Sequence, residues 1–139
     1  ILIGERSAER VKIEVGAAMT EIENPPPDYA VQGRDLMSGI PKEVYISYVE
    51  IAHCLDKSIS KIEEAILNAL EMTPPELAAD IYRKGIYMAG GGSLLRGLDK
   101  RISLKTKLPV HVCEDPLRAV ARGTGIALKN VHKFPFLIK

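Results

Sequence analysis

Residues 86–100 read IYMAGGGSLLRGLDK. Three consecutive glycines, Gly90, Gly91 and Gly92, stand between an apolar run and a stretch of helical period. Glycine permits positive φ and lets another group come close to the backbone. A helix starting just beyond would offer unpaired N–H groups to an anionic or polar ligand. The stretch is not a phosphate loop, because GGGSLLRG lacks the closing Gly-Lys-Ser/Thr. Nor is it the dinucleotide fingerprint, since the third glycine position counted from Gly90 is Leu95. Spacing alone leaves two readings, a tight turn or a contact with a nucleotide or sugar, and favours the turn.

The surroundings of the turn set the fold class. Residues 86–89 predict a strand, 93–106 a helix, 110–113 a strand and 116–129 a helix. Strand–helix–strand–helix predicts an α/β layer with helices packed on a sheet. Upstream, Thr73, Pro74 and Glu76 predict a capping box opening a short helix that ends at Gly85.

The first part of the chain is patterned differently. Residues 4–18 predict an amphipathic helix with Ala8, Val11, Val15 and Ala18 on one face. Three prolines at 25–27 then break it. Residues 29–33 and 43–49 predict strands of an antiparallel hairpin, joined by RDLMSGIPK with Asp35, Gly39 and Pro41 as turn residues. Residues 49–71 return to helical period through Ile51, Leu55, Ile59, Ile62, Ile66 and Leu70, with a possible break at Asp56 and Ser58. The expectation is α/β with an α+β subdomain: a small subdomain over 1–72 and an α/β part over 73–139.

Composition narrows the function. The chain has 139 residues, 46% hydrophobic and 27% charged, which suits one globular unit with its own core. A net charge of +1 is no nucleic-acid footprint. His53, His111 and His132 are scattered without metal-ligand spacing, and Cys54 and Cys113 form no CxxC. No apolar run reaches the ~20 residues of a membrane span. GxSxG and HExxH are absent. The chain opens at Ile1 inside an apolar run, from which a fragment is expected. The last eight residues, HKFPFLIK, are an apolar tail expected to dock on the body.

One further stripe carries chemistry. Glu9 lies one turn from Glu5, and Lys12 follows Glu9 by three residues, so all three share a face. A Glu and a Lys side by side can bind ribose hydroxyls and border a purine. They can equally be a solvated ion pair worth a few tenths of a kcal/mol, and alone the stripe favours that.

Five blocks in order resemble one family. GERSAERVKIEVG (4–16), GRDLMSGIPK (33–42), TPPELAADI (73–81), GIYMAGGGSLLRGLD (85–99) and LPVHVCEDPLRAVARGTGIAL (108–128) resemble the MreB family of bacterial actins, the rod-shape-determining proteins. The resemblance runs from about residue 2 to 130 and fits least at ENPPPDYAVQ. It implies an actin-like (ribonuclease H-like) ATPase fold, here the small subdomain and the C-terminal part of the large subdomain of the second half. It implies ATP, with magnesium, in the cleft of the full-length protein. The adenosine side would be bordered by Glu9 and Lys12 and underlain by Gly90, Gly91 and Gly92, with Ser93 and Leu94 beside them. The family's phosphate loops, catalytic acid and membrane-binding segment would lie upstream of Ile1, so this stretch alone is expected neither to hydrolyse ATP nor to hold it tightly.

The resemblance also implies head-to-tail filaments of the protein with itself at the inner face of the cell membrane, organising wall-synthesis and membrane morphogenesis proteins. The RDLMSGIPK loop would take part in the subunit contact, or be a plain hairpin loop. An actin-fold enzyme, such as a sugar kinase or heat-shock-type chaperone ATPase, shares the glycine turn. A magnetosome-organising actin would share the chemistry and differ in cargo.

Overall fold

The structure, a computed structural model, describes residues 1–134. Residues 135–139, the larger part of the apolar tail, lie outside the described residues. Helix α1 spans Glu5–Val15, strand β1 Tyr29–Arg34, strand β2 Pro41–Ile46 and helix α2 Tyr48–Glu71. Helix α3 (Pro75–Lys84), strand β3 (Ile86–Met88), helix α4 (Leu98–Thr106), strand β4 (Val110–Val112) and helix α5 (Ala119–Lys129) follow, with 3-10 turns at Gly91–Leu94 and Val131–Lys133. Strands β1 and β2 pair antiparallel, with Tyr29 opposite Ile46 and Arg34 opposite Pro41. Strands β3 and β4 pair in parallel around the α4 crossover, with Ile86 beside Val110 and Met88 beside Val112. The α+β piece and the α/β layer are those the patterning predicts.

Two apolar clusters hold these elements. Val11, Val15 and Val31 form one, joined by Ile3, Tyr29, Ile46, Tyr48 and Ile51. Ala18, Ile59, Leu98 and Ile102 form the other, with Leu55, Ile66, Ile86, Met88, Leu95 and Val110 against them. The second cluster joins α2 to the glycine-turn side of the molecule.

Five local expectations are corrected. Ala8 is exposed, and the apolar face of α1 is Val11 and Val15. Ala18 lies beyond the helix, because Gly16 ends it and the chain runs on extended. The break in α2 at Asp56 and Ser58 does not form; the helix is continuous and begins earlier, at a capping box in which Ser47 and Glu50 bond each other's backbone N–H. Thr73 does not cap α3, since its hydroxyl donates back to the Ala69 carbonyl at 2.8 Å and Pro74 takes the N-cap position. Nor does one helix run from Ser93 to Thr106. A 3-10 turn comes first, and α4 starts only after Gly97, which sits at φ 76°.

That last correction bears on the glycine turn. Leu95 leaves the 3-10 turn in an extended conformation. The extended piece pairs with the segment leaving α1, Ala17 bridging Arg96 in parallel. The interruption of the helix is therefore what ties the segment after α1 to the segment before α4.

Candidate functional site

Helix α1 places Glu9 and Lys12 on its solvent side, where the ammonium lies 3.0 Å from the carboxylate. Both are more than half exposed. As an exposed pair at i,i+3 it contributes little to stability. Its polar atoms remain open to a ligand.

The glycine turn begins where β3 ends. Gly90 has φ 83° and ψ 169°, a conformation open essentially to glycine alone. Its N–H donates to the Pro116 carbonyl at 2.8 Å, fixing the turn to the segment before α5. Its carbonyl accepts from the Ser93 hydroxyl at 2.7 Å. Ser93 is buried, and its hydroxyl braces the turn from inside. Leu94 points outward and is exposed.

The three glycines are bare for different reasons. A Cβ on Gly91 would stand 3.2 Å from Leu117 Cδ2, tighter than ordinary contact. Gly90 is bound by its positive φ. Gly92 has neither constraint: its φ lies outside the range that favours glycine, and a Cβ there would meet nothing within 4 Å. Protein neighbours do not account for the absence of a side chain at Gly92. Gly91 and Gly92 themselves open a 3-10 turn, and the α-helix that sequence reading starts at Ser93 begins only at Leu98.

The helix bearing Glu9 and Lys12 is docked directly on the exit from the glycine turn. At Gly16 a Cβ would clash with the Lys12 carbonyl at 2.1 Å and with Leu95 Cδ1 at 2.9 Å. Ala18 N–H donates to the Arg96 carbonyl at 2.8 Å. The Arg96 guanidinium donates to the carbonyls of Ile13 at 3.2 Å and Gly16 at 3.4 Å, at the C-terminus of α1. A cation at that end also meets the negative pole of the helix. Sequence reasoning missed this joint, because its partners lie some 80 residues apart.

A second arginine holds the same segment. Arg101 donates to the Ala18 carbonyl at 2.9 Å, to Glu63 at 2.7 Å and to Asp56 at 2.8 Å. Glu63 is buried, and its bond to Arg101 is the leading cause that raises the guanidinium pKa above its ordinary value. Beside this hub a cleft of about 480 Å³ opens, lined by residues including Met19, Thr20, His53, Asp56 and Arg101. Its lining includes none of Glu9, Lys12 and the residues 90–94. Among the described residues no three His, Cys, Asp or Glu side chains gather as a metal site. No helix among them is long and apolar enough to cross a membrane.

A parallel α/β layer carrying a glycine turn, with a hairpin-bearing α+β piece docked on it, is part of the actin-like fold. The match to solved structures is close: the crystal structure of MreB5 of Spiroplasma citri bound to ADP superposes with a TM-score of 0.89 at 40% identity, over 100% of this chain and 41% of that one. The same protein bound to AMPPNP gives 0.89 at 41% identity. The family model described as MreB/Mbl protein matches residues 1–135, and the chain belongs to that family. It is 41% identical over 135 residues to the cell shape-determining protein Mbl of Bacillus subtilis (strain 168), covering 97% of this chain and 40% of that protein. To the cell shape-determining protein MreB of Escherichia coli (strain K12) it is 44% identical, covering 94% and 37%. The chain thus spans about 40% of the length of the curated relatives it matches.

Proposed function

We propose that this chain supplies the nucleoside-side wall of an ATP site in a filament-forming, cell-shape-determining bacterial actin. The observation that carries this reading is Gly92. Its bareness has no cause within the described residues, and it lies in a turn whose exit is docked on the helix bearing Glu9 and Lys12. A flat ligand lying on the backbone is a cause, and a Cβ there would fill its space. The similarity to MreB5, solved with ADP and with AMPPNP, supports an adenine nucleotide as that ligand.

In this reading Glu9 and Lys12 border the ribose and base, and Gly90, Gly91 and Gly92 form the floor. Ser93 holds the floor in shape rather than facing the ligand, because its hydroxyl is committed to Gly90. Leu94 is free to pack on the ligand's edge. Phosphate and magnesium contacts would come from other segments, so the 139-residue chain alone binds nucleotide weakly and does not hydrolyse it. Charge-assisted bonds to the phosphates would be missing from it.

The test is ADP binding to the full-length protein, wild type against the double variant Glu9→Ala and Lys12→Ala, by calorimetry. A loss of about tenfold or more is expected, on the scale of one or two charged hydrogen bonds. An unchanged Kd would return the stripe to a surface ion pair and the glycines to a turn.

Self-association belongs to the same proposal. The tip of the β1–β2 hairpin exposes Leu36, Met37 and Ile40, with Met37 97% exposed. Apolar side chains gathered at a loop tip suit a protein contact, and we assign them to the contact with the next subunit at the membrane-apposed filament. Met37→Asp in the full-length protein is expected to abolish ATP-dependent pelleting while leaving ADP affinity unchanged. Pelleting at the wild-type level would remove the hairpin from the contact.

A further inference from the structure

We propose that Arg96 is a positioning residue for the bound nucleotide, setting the spacing between the two parts of the nucleoside wall. The inference rests on the nucleotide reading above and goes beyond it, because Arg96 itself touches no part of that wall's ligand-facing surface.

Helix α1 ends at Val15. The last carbonyls of a helix have no intrahelical partner and must find donors elsewhere. At the end of α1, the Lys12 carbonyl is satisfied by Gly16 N–H at 3.0 Å. The next carbonyl, that of Ile13, and the carbonyl of Gly16 both take the Arg96 guanidinium. The Arg96 backbone carbonyl takes Ala18 N–H in return. Arg96 therefore grips α1 with its side chain and the segment after it with its backbone.

Its place in the chain gives that grip its consequence. Arg96 stands two residues after the 3-10 turn Gly91–Leu94. Lys12 stands one residue before Ile13, whose carbonyl Arg96 holds. A rigid helix carries Glu9 and Lys12, and a braced turn carries the glycines. Arg96 is the side chain that bonds one to the other. Gly16 makes the approach possible, since any Cβ there would push Leu95 away. Arg101, by contrast, bonds the same segment to α2 through Asp56 and Glu63, so it supports the body of the fold.

A positioning role and a merely structural one predict different losses. If Arg96 sets the wall, its removal weakens binding of the nucleoside and spares binding of the phosphates. General destabilisation would weaken both alike. The experiment measures Kd for ADP and for inorganic tripolyphosphate on the full-length protein, with Arg96→Met, which keeps the apolar stem, and Arg96→Lys, which keeps one donor group. For Arg96→Met the expected result is about a tenfold loss for ADP, the scale of losing charged hydrogen bonds that hold a site's geometry, with tripolyphosphate within twofold. Arg96→Lys should lose about threefold for ADP, since its ammonium keeps the charge and donors but not the reach and fixed planar geometry of the guanidinium.

Equal losses for both probes, or none for ADP, overturn the assignment. If Arg96→Met does not fold, the Lys variant decides, and an unchanged ADP affinity there rejects the role. The Glu9→Ala, Lys12→Ala variant separates this inference from the reading beneath it. If it leaves ADP binding intact, the nucleoside wall fails and takes the role of Arg96 with it. If it weakens ADP binding while both Arg96 variants do not, the wall stands and Arg96 alone is rejected.

Discussion

The hairpin tip at 35–40 and the glycine turn at 90–97 are both built on glycines at positive φ, Gly39 at 73° and Gly90 at 83°. They are finished in opposite ways. The tip is self-sufficient: the Asp35 carboxylate accepts the N–H groups of Met37 at 2.8 Å and Ser38 at 3.0 Å, and Asp35 N–H donates to the Ile40 carbonyl at 2.9 Å. Its apolar side chains point outward. The glycine turn borrows its support from Pro116, from Ala18 and from the C-terminus of α1. It presents backbone. A loop that satisfies itself is free to offer side chains to a partner, and a loop held by distant segments can offer a shaped backbone surface to a ligand.

Removing borrowed support should therefore cost more than removing local support. Arg101→Met frees the Ala18 segment that bonds the turn's exit and leaves the Glu63 carboxylate, itself buried, without its cation. Breaking one partner of such a pair is expected to destabilise by about 3 kcal/mol. Asp35→Ala removes two exposed turn hydrogen bonds and a loose ion pair with Lys42, and is expected to cost clearly less. Urea denaturation of the full-length protein measures both. Equal midpoints for the two variants would erase the distinction between the loops.

Within the glycine turn the contrast narrows to single positions. Gly90→Ala forces a side chain into a glycine-only conformation and is expected to cost about 2 kcal/mol. Gly92→Ala meets open space and should leave stability within about 0.5 kcal/mol. In the proposed site the order reverses: the added methyl of Gly92→Ala occupies the ligand's space, and ADP affinity should fall more than stability. Thermal melts with and without ADP read both quantities. If Gly92→Ala melts and binds like wild type, its bareness has no function.

How much of this was legible follows the range of the interactions. The hairpin, with Asp35 and Gly39 in its turn and Pro41 opening β2, is local chemistry, and the sequence placed it within a few residues. The strand–helix–strand order around β3 and β4 was legible in alternating patterns, and the structure pairs the two strands in parallel. The capping box at Ser47 and Glu50 was present in the S-x-x-E spacing, but the strand-like alternation through Val44, Ile46 and Tyr48 masked it. At Ser93 the pattern Leu94, Leu95, Leu98, Ile102 has helical spacing, yet the helix waits for Gly97. There the pairing of Ala17 with Arg96 overrides local propensity, and no window of sequence contains both. The same holds for the joint that unites the two halves of the candidate site. Glu9, Lys12 and the three glycines were picked from their residue types, whereas Arg96 is visible only in the folded chain.

The smallest expected effect separates the loops by pH. The N–H groups of Ser38 and Met37 lower the Asp35 pKa from its ordinary 3.8 to about 2. A carboxylate whose pKa is depressed by folding adds stability that is fully present above its unfolded value. As pH falls from about 4 through about 2, Asp35 takes up a proton and that contribution is lost. Residues 89–95, AGGGSLL, contain no ionisable side chain, so the glycine turn has nothing of its own to titrate there. Amide shifts of Met37 and Ser38 should accordingly follow a single midpoint near 2, while those of Gly91 and Gly92 stay flat down to the onset of global unfolding. A midpoint near 4 at the tip would mean that the carboxylate does not hold those two N–H groups in solution, and the hairpin would lose its claim to be the self-supported loop. A titrating response at Gly91 and Gly92 in the same window would break the comparison from the other side, because it would couple the glycine turn to a carboxylate elsewhere in the fold.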